Sequence, residues 1–478
     1  MNRWGSIWVR SLTLVAVFWT VSSWTVSISA QVRLPSILGD HMVLQRERPV
    51  TLWGWDDAGA GVTVTLGQTI AKATTDQDGR WAVQLPAMAA GGPHTITIEG
   101  TSTVTLKDVL VGEVWLCSGQ SNMEWTVLRS ANPEEEIAAA DHPMIRHIKV
   151  GRAPMATPQD DAPAGGWQVC SPETAGNFTA VGYYFARYLN GELDVPIGLI
   201  GSNWGGTRIE PWTPPVGFQS VPALQEIADD LENLPATKAD GQVNRQSPLA
   251  LYNGMIHPLV PFVIRGAIWY QGESNNGEGM LYHEKKKALI HGWRSVWDDP
   301  DMPFYYVQLA PFRYKVDPER LPGIWEAQLK TLDVPRTGMA VTVDIGDVTD
   351  IHPLNKQDVG KRLALWALAK TYGQSGLVYS GPLYRSIEIE GDRAVISFDH
   401  VGGGLVSRDG QPLSHFQVAG EDGRFVEAQA EIVGPTVVVS AESVPQPVAV
   451  RFGWHQEAEP NLSNREGLPA SPFRTDSW

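Results

Sequence analysis

The sequence predicts an α/β protein: a doubly wound, mostly parallel sheet flanked by N-terminal and C-terminal β-sandwich-like domains. Three observations lead there. Between residues 108 and 374, buried-strand segments alternate with segments of helical spacing. On either side, residues 31–107 and 375–478 carry short alternating strands separated by turn residues. In the middle part each main strand runs into a polar cluster, at the end where doubly wound sheets bind ligands.

The chain opens on Arg3 and Arg10, an apolar segment from Leu12 to Trp24, and then Ile28-Ser29-Ala30. That is the layout of a secretory signal over residues 1–30, with cleavage expected after Ala30. The mature protein is therefore expected to be secreted or periplasmic, with no stable membrane anchor. From Gln31 to Lys107 the segments Val50–Trp55, Val62–Leu66, Trp81–Leu85, His94–Ile98 and Val104–Leu106 read as strands, with Asp78-Gly79 and Gly91-Gly92-Pro93 as turns.

In the middle part the strand candidates are Val109–Cys117, Ile197–Ser202, Ile264–Tyr270, Phe304–Leu309 and Met339–Val343. Val181, Phe185 and Leu189 recur at helical spacing, as do Leu224, Ile227 and Leu231, and then Leu289, Trp293, Val296 and Trp297. A last helix starts near Asn355, with Asp358 as capping partner, Val359, Leu363, Trp366 and Ala367 as its stripe, and Gly373 as its stop. From Gln374 the strands Ile387–Glu390, Ala394–Phe398, Phe416–Ala419, Val437–Ser440 and Val448–Phe452 form the closing β domain.

Composition narrows the function. With 43% hydrophobic and 19% charged residues in 478, the chain can bury large cores. A net charge of −16 argues against a nucleic-acid partner, which needs clustered Lys and Arg, and means that an anionic substrate must be met by local cations. The two cysteines, Cys117 and Cys170, form no metal motif, and their pairing is open. Nineteen tryptophans suit a protein that stacks rings on pyranose faces, although most of them should fill cores.

The chemistry gathers at the strand ends. After the first strand, Gly119 allows a sharp turn and leaves Ser121 free to act as a nucleophile. The surrounding Gly-Gln-Ser-Asn is not the Gly-x-Ser-x-Gly elbow of α/β-hydrolases. His352, between acidic residues and Pro353 in a loop before a helix, is the best base. Asp350, Asp347 and Glu273 are the candidates for orienting it. Oxyanion donors could come from the Ser121 N–H, from Gly205 or Gly206, and from Gln271 or Asn275. Arg208 could meet a substrate carboxylate in bidentate fashion, or be a structural partner of Glu210. A metallohydrolase built on His352, Asp347 and Asp350 is a rival reading that lacks further ligands.

Several stretches together resemble the sialate O-acetylesterase family, a group of SGNH-type esterases. They are Gly119-Gln120-Ser121-Asn122-Met123-Glu124-Trp125, Gly205-Gly206-Thr207-Arg208-Ile209-Glu210-Pro211-Trp212, Tyr270-Gln271-Gly272-Glu273-Ser274-Asn275 and Asp350-Ile351-His352-Pro353. The likeness extends to Gly39-Asp40-His41-Met42-Val43-Leu44-Gln45 and to the stretch from Glu466 to Asp476. It implies an SGNH-hydrolase-like catalytic domain that removes O-acetyl groups from sugars, above all sialic acids, with Ser121 as nucleophile, His352 as base, and no metal or cofactor. Thr349 stands where simpler SGNH members place the acid, three residues before the histidine, and Gln271 and Glu273 stand where those members show Gly-x-Asn. Related acetylesterases use a glutamate from this strand, so the orienting acid is either Asp350 or Glu273. An acetyl-xylan esterase on the same scaffold and a carbohydrate-binding protein with an idle serine are the alternatives.

Overall fold

In the computed structural model, Met1, Asn2, Gly5 and residues 31–478 are described. The expected signal segment therefore lies largely outside the described residues. Among those that are described, no helix is long and apolar enough to cross a membrane.

The chain is organised on one long strand, Thr103–Gly119, whose inner part from Val109 onward is buried. Its first half pairs antiparallel with Gly91–Glu99 in the N-terminal β domain, and its second half lies at the middle of a parallel sheet. One unbroken strand thus crosses the boundary expected between residues 107 and 108. Asp108 marks the crossing with a left-handed φ of 53°, which an L-residue other than glycine seldom adopts. Its carboxylate accepts from His41 Nδ1 at 2.7 Å and pairs with Arg146 at 3.1 Å.

Across the parallel sheet the order is Thr337–Ala340, Phe304–Val307, Gly266–Tyr270, Thr103–Gly119, Ile197–Asn203, His142–Lys149 and Gln168–Cys170. All neighbours run parallel except the last pair. The first strand in sequence is therefore flanked by the fourth and the fifth. That reversal of winding opens a crevice beyond its carboxyl end, the place where such sheets hold a ligand. The strands before it are apolar on both faces because helices cover both faces. Trp115, fully buried, stands edge-on to Phe185 at 5.0 Å and stacks on Tyr305 at 5.9 Å. Trp269 sits edge-on to Trp293 at 5.8 Å.

The helices Ala180–Leu193, Met280–Val296 and Lys356–Lys370 follow the expected stripes. The stripe Leu224, Ile227, Leu231 does not make one helix. Pro222 starts a 3₁₀ turn, and Gln225–Asp229 is followed by another short 3₁₀ turn, so the helix is broken into three pieces. Among the elements that carried no clear sequence pattern are the strand His142–Lys149 and the helix Arg320–Lys330.

The N-terminal domain packs the two-stranded sheet Val50–Trp55/Arg80–Leu85 against a sheet containing Gly61–Leu66, Thr69–Thr74 and Gly91–Glu99. The C-terminal domain has a separate core, with Ile396, Phe416, Val437, Phe452 and Phe473 at its centre, between two four-stranded antiparallel sheets. It is tied to the α/β part by Gln308 donating to Ser471 Oγ at 2.9 Å and by the Arg474–Glu326 pair.

Candidate active site

The site begins with a backbone constraint. Gly119 has φ 132°, and a Cβ there would lie 2.2 Å from the Tyr270 carbonyl oxygen, so only glycine fits between the two strands. Gln120 N–H donates to that carbonyl at 2.9 Å, and the chain turns into the short helix Ser121–Glu124. Ser121, as first residue of this helix, has no intrahelical acceptor for its N–H.

His352 reaches across from the loop before the helix Lys356–Lys370, and its Nε2 lies 2.8 Å from Ser121 Oγ. Three supports hold this loop. Asn122 Nδ2 donates to the Ile351 carbonyl at 3.0 Å. The Arg362 guanidinium grips Asp344 in a bidentate pair with both contacts at 2.7 Å. The Trp125 indole stacks flat on the imidazole, centroids 4.5 Å apart and planes 12° off parallel. The helix behind the loop starts with the expected cap, Asn355 Oδ1 accepting from Asp358 N–H at 3.0 Å.

Of the candidate orienting acids, Asp350 lies nearest the imidazole. Its Oδ1 accepts from the His352 backbone N–H at 2.9 Å and lies 3.7 Å from Nδ1, beyond a direct hydrogen bond. It is also half exposed. Asp347 instead turns its own loop by accepting from the Thr349 N–H and hydroxyl. Glu273, partly exposed as a residue, turns its carboxyl in under the serine helix, where it accepts from Asn122 Nδ2 at 2.6 Å and makes no hydrogen bond to the imidazole. Its other oxygen is buried without a partner among the described residues.

Asn122 therefore sits between two buried ionisable groups, since its Oδ1 also accepts from Lys356 Nζ at 2.6 Å. Burial pushes the Glu273 carboxyl up, against the pull of Asn122 and Lys356. Burial likewise holds Lys356 down to about 7. His352 is lowered below the usual imidazole range, first by burial and then by the nearby Lys356 and Arg129 charges, with Asp350 opposing. At neutral pH the ring is thus an acceptor at one nitrogen, as a base must be.

The candidate oxyanion groups divide clearly. The Gly205 N–H is held by Glu124 Oε2 at 2.8 Å. Gln271 and Asn275 do not serve as donors: Gln271 Nε2 donates to Thr207 O and Asn275 Oδ1, and Asn275 Nδ2 donates to Glu210 and Glu278. Each amide has both N–H groups engaged in a buried network. Arg208 is likewise corrected to its structural reading, because Glu210 and Glu278 neutralise it beside the buried Lys285. What remains is Gly206, whose φ of 70° suits glycine and whose N–H has no acceptor among the described residues, together with the Ser121 N–H.

The serine opens into a cleft of about 540 Å³ that also holds Glu124, Trp125, Arg129, Lys149, Arg152 and His352. Residue patterning did not single out these cations. Glu124 pairs with Arg152 at 2.7 Å and lies 3.8 Å from Lys149, which burial lowers to about 8. Arg129 has only the Trp125 ring at 5.5 Å and no carboxylate partner among the described residues. An acidic protein thus lines its reactive cleft with cations. Those described residues contain no cluster of His, Cys, Asp and Glu able to hold a metal. Cys117 and Cys170 are both free and buried, and burial raises their thiols, Cys170 to about 12.

Comparison with known proteins identifies the family. Residues 111–368 match the family model described as carbohydrate esterase, sialic acid-specific acetylesterase. Sialate O-acetylesterase of Rattus norvegicus is 36% identical over 418 residues, 75% of this chain and 77% of that protein. The Homo sapiens counterpart is 34% identical over 433 residues, 82% of this chain and 80% of its own length. A crystal structure of a carbohydrate acetylesterase from Xanthomonas citri superposes with a TM-score of 0.87 at 41% identity, covering 94% of this chain and all of the other. The matched segment runs from the strand that delivers Ser121 to the helix that anchors His352, and the chain belongs to the sialic acid-specific acetylesterase family of carbohydrate esterases.

Proposed function

We propose that this enzyme, a carboxylic ester hydrolase by family, removes O-acetyl groups from sugars, O-acetylated sialic acids first, through an acetyl-Ser121 intermediate. The observation that carries the reading is the 2.8 Å contact between Ser121 Oγ and His352 Nε2 at the mouth of a cationic cleft. Ser121 Oγ attacks the acetyl carbonyl carbon as His352 Nε2 takes its proton. The Ser121 and Gly206 N–H groups are the donors left to face the oxyanion. His352 returns the proton to the sugar oxygen as the ester C–O bond breaks. Water, deprotonated by the same nitrogen, then releases acetate and restores the serine. Trp125 and Asn122 keep the imidazole in place through both halves of the reaction.

A sialic acid brings a carboxylate as well as its acetyl ester, and the unpaired Arg129 beside Trp125 offers it a partner. A second reading is an esterase for neutral acetylated polysaccharide, since the Xanthomonas citri structure, 41% identical over nearly the whole chain, is described as a carbohydrate acetylesterase with no sialic acid specified. The test is acetate release from O-acetylated sialic acids against acetyl-xylan, with Arg129→Gln alongside. Preference for the sialates, with KM for them raised by Arg129→Gln and turnover of an aryl acetate kept, supports the first reading. Preference for acetyl-xylan with no effect of Arg129→Gln supports the second. Export also belongs to this reading, on the strength of Arg3, Arg10 and the Leu12–Trp24 segment. N-terminal sequencing of the protein released from expressing cells tests it, with Gln31 expected first.

A further inference from the structure

A second cavity, of about 430 Å³, shares no residue with the Ser121 cleft. It lies between the Val50–Trp55/Arg80–Leu85 ribbon and the α/β part, which contributes Gln159, Asp160, His257 and Pro258. In that ribbon Val50 and Leu52 face the core, so Thr51, Trp53 and Trp55 share the outward face. An outward face is ordinarily polar, and here it carries two half-buried indoles two residues apart. The Arg33 guanidinium covers the Trp55 ring at 3.7 Å and holds it in place.

The polar groups around these rings are mostly acceptors. Asp76 Oδ1 accepts from the Asp78 and Arg80 N–H groups, which leaves Oδ2 without a partner among the described residues. Gln159 Nε2 donates to Thr157, which leaves its Oε1. His257 Nδ1 donates to the Gln159 carbonyl at 2.9 Å, a bond that makes Nε2 the acceptor nitrogen of the neutral ring. Arg80 pairs with Asp160 at 2.5 Å, and Arg33 on the Trp55 ring offsets Asp76, so the surroundings carry no net charge.

An apolar aromatic floor edged by spare acceptors fits a molecule with flat C–H faces and many O–H donors. Surroundings without net charge give a carboxylate no advantage over an uncharged sugar. We propose that this cavity binds uncharged pyranose units of a glycan chain, apart from the site that cleaves the ester. Its ligand would be the neutral backbone that carries the acetylated sugar, which makes it an accessory carbohydrate site.

The experiment uses the intact mature chain and unacetylated probes, so that turnover plays no part. Calorimetric titration and tryptophan fluorescence are followed with cellohexaose, xylohexaose and, as the charged control, 3′-sialyllactose. At least one neutral hexasaccharide should bind, and Trp53→Ala should weaken it about tenfold or more, as the loss of one well-stacked ring does. Gln159→Ala, a change in a loop that leaves the ribbon untouched, should also weaken it and serves if Trp53→Ala fails to fold. Aryl acetate turnover should stay at the wild-type level in both variants. Absence of binding by both neutral probes up to about 10 mM, the weak end of useful sugar affinity, would overturn the proposal. So would unchanged binding in both variants or a preference for the sialylated probe. Failure of sialate hydrolysis alone would leave this site standing, because the titration does not depend on the ester chemistry.

Discussion

Replacing Asp350 with Asn tests how His352 is supported. The change is isosteric and keeps the oxygen that accepts the His352 backbone N–H at 2.9 Å, so the loop should survive and only charge is lost. When His352 takes the serine proton, the new imidazolium lies 3.7 Å from this carboxylate. Two unit charges at that spacing attract by about 1 kcal/mol in water and about 4 kcal/mol at an effective dielectric near 20. Asp350 is 51% exposed, so screening places the value near the lower limit, about 1 to 2 kcal/mol. Such a term lowers turnover roughly 5- to 30-fold. A buried, directly bonded triad acid is worth about 10⁴. The assay is the initial rate of 4-nitrophenyl acetate hydrolysis at pH 8, with Glu273→Gln in parallel. A loss near 10⁴ in Asp350→Asn would show that the carboxylate swings into direct contact during turnover. Near-normal turnover there with a dead Glu273→Gln would refute the reasoning and make Glu273 the supporting acid.

Ser121→Ala should lower turnover by about 10⁴ to 10⁶ with an unchanged circular dichroism spectrum, and more than about a tenth of wild-type activity would exclude this nucleophile. The acid limb of kcat/KM should fall below the ordinary imidazole value of about 6.5, because burial, Lys356 and Arg129 all disfavour the protonated ring. Removing one of those cations with Arg129→Gln should move the limb to higher pH, and a shift the other way contradicts the assignment of His352 as base. Arg265→Ala should destabilise the fold by about 3 to 5 kcal/mol in urea unfolding. Its guanidinium bonds both oxygens of the fully buried Glu113, at 2.6 and 3.0 Å. Arg46, which bonds Glu113 at 2.6 Å, can compensate only in part, and a cost under about 1 kcal/mol would show that Glu113 is protonated or solvated in the variant.

Periodicity exposed most of the fold, and one strand it missed shows where such reading stops. A strand buried on both faces should read as a continuous apolar run, yet His142-Pro143-Met144-Ile145-Arg146-His147-Ile148-Lys149 places charges and rings inside the sheet. Arg146 is tolerated because Asp108, thirty-eight positions earlier, lies 3.1 Å away at the crossing of the long strand. His147 is tolerated because burial lowers it to about 3, keeping it neutral, and because it stacks on Phe178 at 4.7 Å. Each is held by a contact that only tertiary structure delivers, and Arg146 Nε and Nη1 and His147 Nε2 stay buried without a hydrogen-bond partner among the described residues. The long strand poses the complementary problem: nothing in the pattern from Thr103 to Gly119 announces that one strand serves two sheets.

The site was legible to the same depth and for the same reason. Gly119, Ser121 and His352 could be placed because each does local work, turning the chain or standing before a helix, in a way that leaves a mark on its neighbours in sequence. Asn122 could not, since its role lies in three bonds to Glu273, Ile351 and Lys356, residues 151, 229 and 234 positions away. The carboxylates and amides at the other strand ends looked equally able to act on substrate. In the fold Glu210 and Glu278 neutralise Arg208 and Lys285, while Gln271 and Asn275 donate all their N–H groups to one another's surroundings. A buried charge must be paired and a buried amide must be bonded. Polar residues delivered to a strand end therefore become available for chemistry only where the surrounding partners run out. Here that place is the cleft holding Ser121, His352 and Arg129, and the cationic rim follows from the same rule, because among the described residues Glu124 is the single carboxylate that faces Lys149 and Arg152 in the cleft.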